Sequence, residues 1–170
     1  MPNISIRPAR ISDAKALNRY IREIYADAAF LITRPDEFHM SQWRQRYWIA
    51  KKLTTPFETC LVAVDGNEII GMLDCWTDRR RRIRHSTCFA MSVKRSRRGQ
   101  GVGKKLLLHF TKWVQKHDII ERIELHVHSD NAAAISLYKG VGFIEEGCRK
   151  GAVRYEDGRI VDDHIMALWP

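Results

Sequence analysis

The chain has 170 residues, of which 45% are hydrophobic and 29% are charged, and its formal net charge is +9. This size and composition are typical of one soluble globular domain, here predicted to span residues 1–170, and exclude a low-complexity protein. No apolar run approaches the roughly 20 residues that cross a bilayer, and the first residues lack a signal-peptide core. We therefore expect a cytoplasmic location and no membrane partner.

The positive charge favours an anionic partner, which could be nucleic acid, a ribosome or a phosphate-bearing cofactor. The four cysteines contain no CxxC pair. Their spacing predicts neither a metal site nor a disulfide framework, and we expect small buried side chains instead.

The first part of the chain predicts one strand followed by two helices. The strand covers residues 3–8, and Ser12 is predicted to cap a helix whose apolar side chains recur with helical spacing. Pro35 breaks a loop over residues 30–38, and the second helix is predicted over residues 41–52.

The rest of the chain predicts an alternation of strands and helices. Two strands flank the turn Asp65-Gly66-Asn67 as a hairpin. In chain order we predict strands at 59–64, 68–75 and 85–93, a helix at 103–117, a strand at 123–128, a helix at 132–140, and strands at 143–149 and 159–168. This order indicates a mixed α/β fold around one central sheet.

The stretch "KRSRRGQGVGKKLLLHF", residues 94–110, combines cations and glycines before an amphipathic helix. A dinucleotide-binding fingerprint would need a further glycine at Lys104 or Leu106. A Walker-type loop would need glycine at Arg98 and a hydroxyl at Lys105. The dinucleotide-binding fingerprint and the Walker-type loop are therefore both excluded. A strand, a basic turn, three alternate glycines and a helix remain, and this arrangement suits a pyrophosphate at a helix N-terminus.

This stretch resembles the pyrophosphate-binding signature of the GNAT superfamily of N-acetyltransferases. The resemblance implies acetyl-CoA as co-substrate and no metal. The preceding strand looks like the family's splayed fourth strand, where Met91 and Val93 would contact the pantetheine arm. The implied donor-binding residues in the loop are Arg98, Gly99, Gln100, Gly101, Val102, Gly103 and Lys104.

A second stretch, "DNAAAISLYKGVGF", resembles the family's other motif through Asn131, Ala134, Leu137, Tyr138, Gly142 and Phe143. In relatives the asparagine holds the cofactor and the tyrosine stands near its sulfur. The resemblance covers nearly the whole chain and implies a GNAT fold. That fold is a mixed, mostly antiparallel sheet of about seven strands with four helices, splayed at strands 4 and 5. Within the family, the sequence most resembles the phosphinothricin-acetyltransferase-like or amino-acid N-acetyltransferase branch.

The implied reaction is direct attack of an amine on the thioester, with Tyr138 as proton donor to the leaving thiolate. Core packing is the alternative for this tyrosine. Relatives of that branch carry a glutamate where this chain has Cys88, so the base is open. Glu124 and His126 are the candidates on the next strand, with His128 on the same face; Asp74 and His85 are further candidates.

Without a fourth-strand carboxylate, an α-amine acceptor fits more easily than a lysine-type amine. Deprotonation at pH 7 costs about 1 kcal/mol for the first and roughly 4–5 kcal/mol for the second. We therefore expect a small amino acid, an aminoacyl compound or a peptide α-amine as acceptor. Phe30, Leu31 and His85 are predicted to contact it, with core packing as the alternative for the apolar pair.

Two other functions stay open. The cluster Arg79–Arg84 could be a solvated hairpin tip or a patch of a nucleic-acid or ribosome-associated protein. Only Trp76 flanks this cluster as a stacking aromatic, so we do not expect a nucleic-acid partner. A protein that binds acetyl-CoA without turnover is the other alternative. Relatives are often dimers, so the resemblance also implies a homodimer as one form of the chain.

Overall fold

A seven-stranded mixed sheet has the strand order β1-β2-β3-β4-β5-β7-β6. The computed structural model describes residues 4–27, 30 and 33–170. The strands are β1 (Ile4–Pro8), β2 (Cys60–Asp65), β3 (Glu68–Thr77), β4 (Ser86–Val93), β5 (Arg122–His128), β6 (Ile144–Arg154) and β7 (Ile160–Leu168). The β1–β2, β2–β3, β5–β7 and β6–β7 pairs are antiparallel, whereas β4 and β5 are parallel.

Four α-helices connect these strands in the predicted order. They are α1 (Ala14–Asp27), α2 (Gln42–Thr54), α3 (Val102–Gln115) and α4 (Ala132–Val141). The hydroxyl of Ser41 accepts a hydrogen bond from the Arg44 amide and caps α2. The α/β fold class and the four helices are therefore confirmed, with shifts of a few residues at most boundaries.

The predicted cap at Ser12 is wrong. Residues Ile11–Asp13 form a short 3-10 helix, and α1 begins only at Ala14. The Asp13 carboxylate accepts the Arg10 amide at 2.7 Å and the Arg7 guanidinium at 2.6 Å. A hydrogen bond to a charged acceptor is stronger than one to a neutral group, so Asp13 stabilises the 3-10 helix that precedes α1.

The chain divides into two compact units, residues 1–76 with 90–110 and residues 77–89 with 111–170. In the first unit, one face of α1 packs with β2 in a buried core. Its fully or nearly fully buried members include Leu17, Tyr20, Ile49 and Val62. The apolar face predicted for α1 is thus the face that α1 buries.

The second unit is organised around β5, β7 and β6. The register pairs His126 with Ile165 and His128 with Asp163 across β5 and β7. Between β4 and β5, the parallel register joins residues 86–88 with residues 122–124, at the start of each strand. A short pairing of this kind is what a splay between strands 4 and 5 requires.

The hairpin turn predicted at Asp65-Gly66-Asn67 takes the expected position. In the hairpin between β2 and β3, Asp65 pairs with Glu68, and Gly66 has a φ of 58°. Since L-residues rarely adopt that conformation, glycine suits the turn.

The arginine cluster lies in the exposed connection between β3 and β4, where Arg80 forms an ion pair with Asp78 at 2.7 Å. Among the described residues, no helix is both long and apolar enough to cross a membrane.

The apolar stripe of α3 yields a stability prediction with an internal control. Leu107 is fully buried, whereas its neighbour Leu108 is 42% exposed. We expect Leu107→Ala to lower the free energy of unfolding by about 2–5 kcal/mol through lost burial and a cavity. Leu108→Ala should change it by less than about 0.5 kcal/mol. Urea unfolding measures both, and equal effects would contradict the burial pattern.

Candidate functional site

In the first unit, a glycine-containing loop leads from the end of β4 into α3. A short 3-10 helix covers Arg95–Arg97, and Gly99 and Gly101 follow with φ angles of 73° and 77°. Neither glycine has a heavy atom within 4 Å of the position that a Cβ would take. The two glycines therefore give the loop left-handed turns and an open backbone surface.

The start of α3 supplies hydrogen-bond donors beside this loop. The amide of Lys105 donates to the carbonyl of Gly101 at 3.0 Å. The amides of Val102, Gly103 and Lys104 precede that bond and have no acceptor within the helix. Lys104 is exposed next to them. Free amides, the positive end of a helix dipole and a lysine together fit a pyrophosphate group.

Several cations of the predicted stretch hold the loop rather than face a ligand. Arg97 forms an ion pair with Asp65 at 3.0 Å. Lys94 contacts Glu23 at 2.6 Å and Glu68 at 2.8 Å. The side chains of Arg98 and Gln100 donate to backbone carbonyls of Val93 and Ser96 at 3.2 Å and 3.0 Å. The basic composition of this stretch therefore overstates the charge that it offers to an anion.

Gly71 on β3 allows α3 to pack closely against the sheet. A Cβ at this position would lie 3.1 Å from Leu106 Cδ1, 3.2 Å from Val102 Cγ1 and 3.3 Å from Ala63 Cβ. Contacts this short require the neighbours to move. Because Val102 is the first residue of α3, the missing side chain at Gly71 helps to determine where the amide donors lie.

Met91 and Val93 lie near the end of β4, and both are half-buried. Between them, the Ser92 hydroxyl lies 2.9 Å from the Tyr20 hydroxyl of α1. Since side chains alternate along a strand, Met91 and Val93 share the face opposite Ser92. This orientation is compatible with their predicted contact to a pantetheine arm.

In the second unit, Tyr138 of α4 lies in an aromatic cluster. Its ring centroid is 6.0 Å from that of Phe89 and 5.8 Å from that of Phe143. Burial raises the pKa of Tyr138 to about 12. The phenol therefore stays protonated at neutral pH, as a proton donor must, although the same packing also gives it a core role.

Asn131 and Gly142 mark the two ends of α4. The side chain of Asn131 accepts a hydrogen bond from the Ala134 amide at 3.3 Å, which caps the helix. Gly142 ends the helix with a φ of 110°, a left-handed conformation that favours glycine. Both motif positions thus have a local structural role, and the predicted cofactor contact of Asn131 stays a prediction.

The polar face of β5 begins with Glu124, which is held in an ion pair. Arg122 contacts the Glu124 carboxylate at 2.7 Å and also pairs with Glu146. Burial would raise the pKa of Glu124, but the hydrogen bonds and charges of Arg122 and His126 together outweigh it and lower that pKa. The thiol of Cys88 lies 3.9 Å from the same carboxylate. Burial, with the Glu124 charge, raises the pKa of Cys88 to about 11, so the thiol stays neutral.

His126 forms a pair with a buried aspartate on the neighbouring strand β7. Its Nδ1 lies 2.9 Å from Asp163 Oδ2, and its Nε2 lies 3.6 Å from Glu124 Oε1. The guanidinium of Arg149, on β6, binds the same Asp163 oxygen. Burial would raise the pKa of Asp163, but the hydrogen bonds from His126 and Arg149 outweigh it and lower that pKa. The carboxylate is therefore charged at neutral pH.

His128, two residues further on, belongs to a different network. Its Nδ1 lies 2.8 Å from the Tyr155 hydroxyl, which donates to Asp130 at 3.0 Å. His128 is buried and His126 is exposed. Of the two histidines, His126 is therefore the one whose ring is accessible to an acceptor.

The other predicted base, Asp74 in the first unit, lies in a buried ion pair. The ammonium group of Lys52 lies 2.8 Å from the Asp74 carboxylate and 3.0 Å from the Glu58 carboxylate. Burial raises the pKa of Asp74 to about 6 in spite of the lysine charge. Since Lys52 also donates to the Cys75 carbonyl at 2.7 Å, this cluster ties α2 to β3.

The predicted acceptor-contacting residues have separate surroundings. The ring of His85 stacks on Trp169 at 6.1 Å, and its carbonyl accepts the Glu121 and Arg122 amides. Phe30 is 39% exposed. Leu31 lies outside the described residues. Within residues 4–27, 30 and 33–170, no group of three or more His, Cys, Asp or Glu side chains could hold a metal ion.

Sequence reasoning missed Gly71, Arg122, Arg149 and Asp163. Alternation along residues 160–168 places Asp163 on the same face as Ile165. A carboxylate on an apolar face is a signal of a buried charge that needs a partner. No local pattern indicates that the partner is His126, which is 37 residues away. Gly71 has no sequence signal beyond being a glycine inside a predicted strand.

Comparison with known proteins agrees with this geometry. The acetyltransferase (GNAT) family model matches residues 18–143. An L-amino acid N-acetyltransferase of Escherichia coli (strain K12) is 31% identical over 168 residues, which is 98% of each chain.

Solved structures share the fold. An acetyltransferase of the GNAT family from Streptococcus pneumoniae superposes with a TM-score of 0.95 at 24% identity, over 99% of this chain and 100% of that one. A Salmonella typhimurium structure that contains acetyl-CoA as its cofactor has a TM-score of 0.83 at 20% identity, over 98% of this chain and 93% of that one. These likenesses confirm the predicted GNAT fold.

The packing at Gly71 yields a prediction for ligand binding. We expect Gly71→Ala to lower thermal stability and to weaken coenzyme A binding several-fold, because an added Cβ displaces the start of α3. The matched control is Gly140→Ala in α4, where no heavy atom lies within 4 Å of the added Cβ. This control should bind as the wild type does. Thermal unfolding and calorimetric titration measure both effects, and wild-type binding by Gly71→Ala would contradict the prediction.

Proposed function

This chain belongs to the acetyltransferase (GNAT) family, and we propose that its acceptor is the α-amine of a small amino acid, an aminoacyl compound or a peptide. The family membership makes it an acetyl-CoA-dependent N-acetyltransferase, that is, an acyltransferase. The glycine loop at Gly99 and Gly101, with the first amides of α3, would hold the pyrophosphate of acetyl-CoA. The acceptor class is the new element of the proposal.

One relative supports this acceptor class. The Escherichia coli protein that matches over nearly the full length of both chains acts, by its name, on L-amino acids. This match is not confined to the donor loop, because it covers residues of both units.

The observation that carries the proposal is the state of the base candidates on β5. Glu124 is tied to Arg122 at 2.7 Å, and this ion pair lowers its pKa and weakens it as a base. His126 has one ring nitrogen on Asp163 and the other more than 3.5 Å from Glu124. An imidazole is thus the group on this strand that can accept a proton.

The acceptor must lose a proton before it attacks. At pH 7 the α-amine of a peptide or aminoacyl compound, with a pKa near 8, loses it for about 1 kcal/mol, whereas a lysine-type amine with a pKa near 10.4 needs roughly 4–5 kcal/mol. An imidazole base is better suited to deprotonate an α-amine than a lysine-type amine. The arrangement on β5 therefore favours an α-amine.

The proposed reaction has three steps. An N–H bond of the acceptor ammonium breaks as its proton moves to Nε2 of His126. The amine lone pair then attacks the thioester carbonyl, so that a C–N bond forms and the C–S bond breaks. Tyr138 supplies a proton to the departing thiolate and regains one from the attacking nitrogen. The protonation of Tyr138 at neutral pH is compatible with this role.

An acceptor panel tests the proposal. We expect purified protein to release coenzyme A with free amino acids, aminoacyl amides or peptide α-amines at a kcat/KM at least tenfold above that for polyamines or Nα-blocked lysine at pH 7. The ε-amine rates should rise about tenfold per pH unit, since the neutral fraction does. Coenzyme A release is read with a thiol reagent.

Two results would contradict the proposal. Preferential acetylation of polyamines or lysine side chains would reject the α-amine class. Acetyl-CoA binding without coenzyme A release for any acceptor in the panel would favour a binding protein instead of an enzyme for these amines.

The role of Tyr138 is tested by Tyr138→Phe. The substitution keeps the aromatic ring that packs against Phe89 and Phe143 and removes the proton donor. We expect kcat to fall about 10²–10⁴-fold, with acetyl-CoA affinity and thermal stability close to those of the wild type. Unchanged turnover would leave Tyr138 with its packing role alone.

A further inference from the structure

The His126–Asp163 pair has features of an oriented base. The imidazole Nδ1 is 2.9 Å from an oxygen of Asp163, whose side chain is only 3% exposed. A buried carboxylate of this kind needs hydrogen-bond donors. His126 and Arg149 supply them from β5 and β6, on either side of β7.

The chemistry of the pair determines where the histidine proton lies. An ionised carboxylate can only accept hydrogen bonds, so Nδ1 of His126 must carry the hydrogen that points at Asp163. In the neutral ring, Nε2 is then unprotonated. Glu124 Oε1, at 3.6 Å, is beyond normal hydrogen-bond distance from this nitrogen. Nε2 therefore keeps its lone pair available.

We propose that Asp163 is a positioning residue that holds His126 in the tautomer protonated on Nδ1, so that Nε2 can take the proton of the acceptor ammonium. The inference rests on the proposed function, in which His126 is the base. Asp163 does not touch the substrate in this proposal. It acts through the ring orientation and through its charge, which stabilises the imidazolium that forms.

The charged groups around the ring support a cationic intermediate. Glu124 lies on the same strand, Asp163 on β7, and Arg149 reaches Asp163 from β6. Cys88, on β4, contacts Glu124 and is neutral because its pKa is raised to about 11. Two carboxylates therefore face the imidazole directly. The Arg149 charge is engaged with Asp163 and the Arg122 charge with Glu124. Transfer of a proton to Nε2 places a positive charge between two negative groups.

The free protein gives the first test. Long-range ¹H–¹⁵N correlation spectra of the ¹⁵N-labelled full chain identify which ring nitrogen of a neutral histidine carries the proton. His126→Gln removes one of the seven histidine signals and so assigns it. We expect the Nδ1-protonated pattern for His126. An Nε2-protonated neutral ring in the wild type would overturn the inference, and this result needs neither a variant of Asp163 nor an acceptor.

The second test uses Asp163→Asn. Its amide can donate to Nδ1, so we expect the opposite tautomer and a fall in kcat of about 10²–10⁴-fold, with the KM for acetyl-CoA unchanged. The matched control is Asp162→Asn, the same change at the adjacent half-buried residue, whose carboxylate contacts Lys150. The control should keep kcat within about twofold.

The two tests separate this inference from the proposed function. An Asp163→Asn variant with the wild-type tautomer and wild-type kcat would overturn the positioning role. If that variant does not fold, the wild-type spectrum decides the question alone. If the wild type has the expected tautomer but acetylates none of the α-amines, the proposed acceptor class fails and the Asp163–His126 orientation stands.

Discussion

The close packing of α3 on β3 is the contact on which the donor-binding loop depends. At Gly71 the helix approaches so closely that the nearest side-chain atoms lie 3.1–3.3 Å from the position of a Cβ. The first turn of α3 is therefore held at a defined distance from the strand. Its free amides keep their direction because the helix that carries them cannot shift. In the proposed function, this packing orients the amides toward the pyrophosphate.

The charges near the loop illustrate the same point. Arg97 and Lys94 are engaged with carboxylates of the first unit, and they connect the loop to α1 and to the β2–β3 hairpin. Exposed pairs of this type contribute little stability individually. Together they restrict a loop whose glycines would otherwise allow many conformations. In the proposed function, the backbone amides would supply the anion contacts.

In the second unit, the buried carboxylate of Asp163 organises the polar face of β5. A charge that is withdrawn from water needs partners, and the nearest donors across the sheet are His126 and Arg149. In the resulting orientation, Nδ1 of His126 contacts Asp163 and Nε2 lies 3.6 Å from Glu124. Glu124 pairs with Arg122, so the two acidic residues of this face have different partners in spite of their similar chemistry.

The order of the strands and helices, the family and the acetyl donor could all be predicted from the sequence. Apolar periodicity and turn residues act locally, and the two motifs of the family are short continuous segments. The capping role of Asn131 and the left-handed end of α4 at Gly142 are local in the same sense. The wrong cap at Ser12 shows the limit of this reasoning, since the Asp13 carboxylate accepts the Arg10 amide and a 3-10 helix forms before α1.

Which polar side chains contact each other depends on the tertiary structure. Asp163 and His126 are 37 residues apart, and Cys88 and Glu124 are 36 apart. The pairing depends on strand register, which no single segment of the sequence encodes. The close approach at Gly71 likewise depends on a helix from another part of the chain. The cause is common to both cases: burial and hydrogen-bond partners are properties of neighbours in space. They raise the pKa of Asp74 and lower that of Asp163, although the two residues are of the same type.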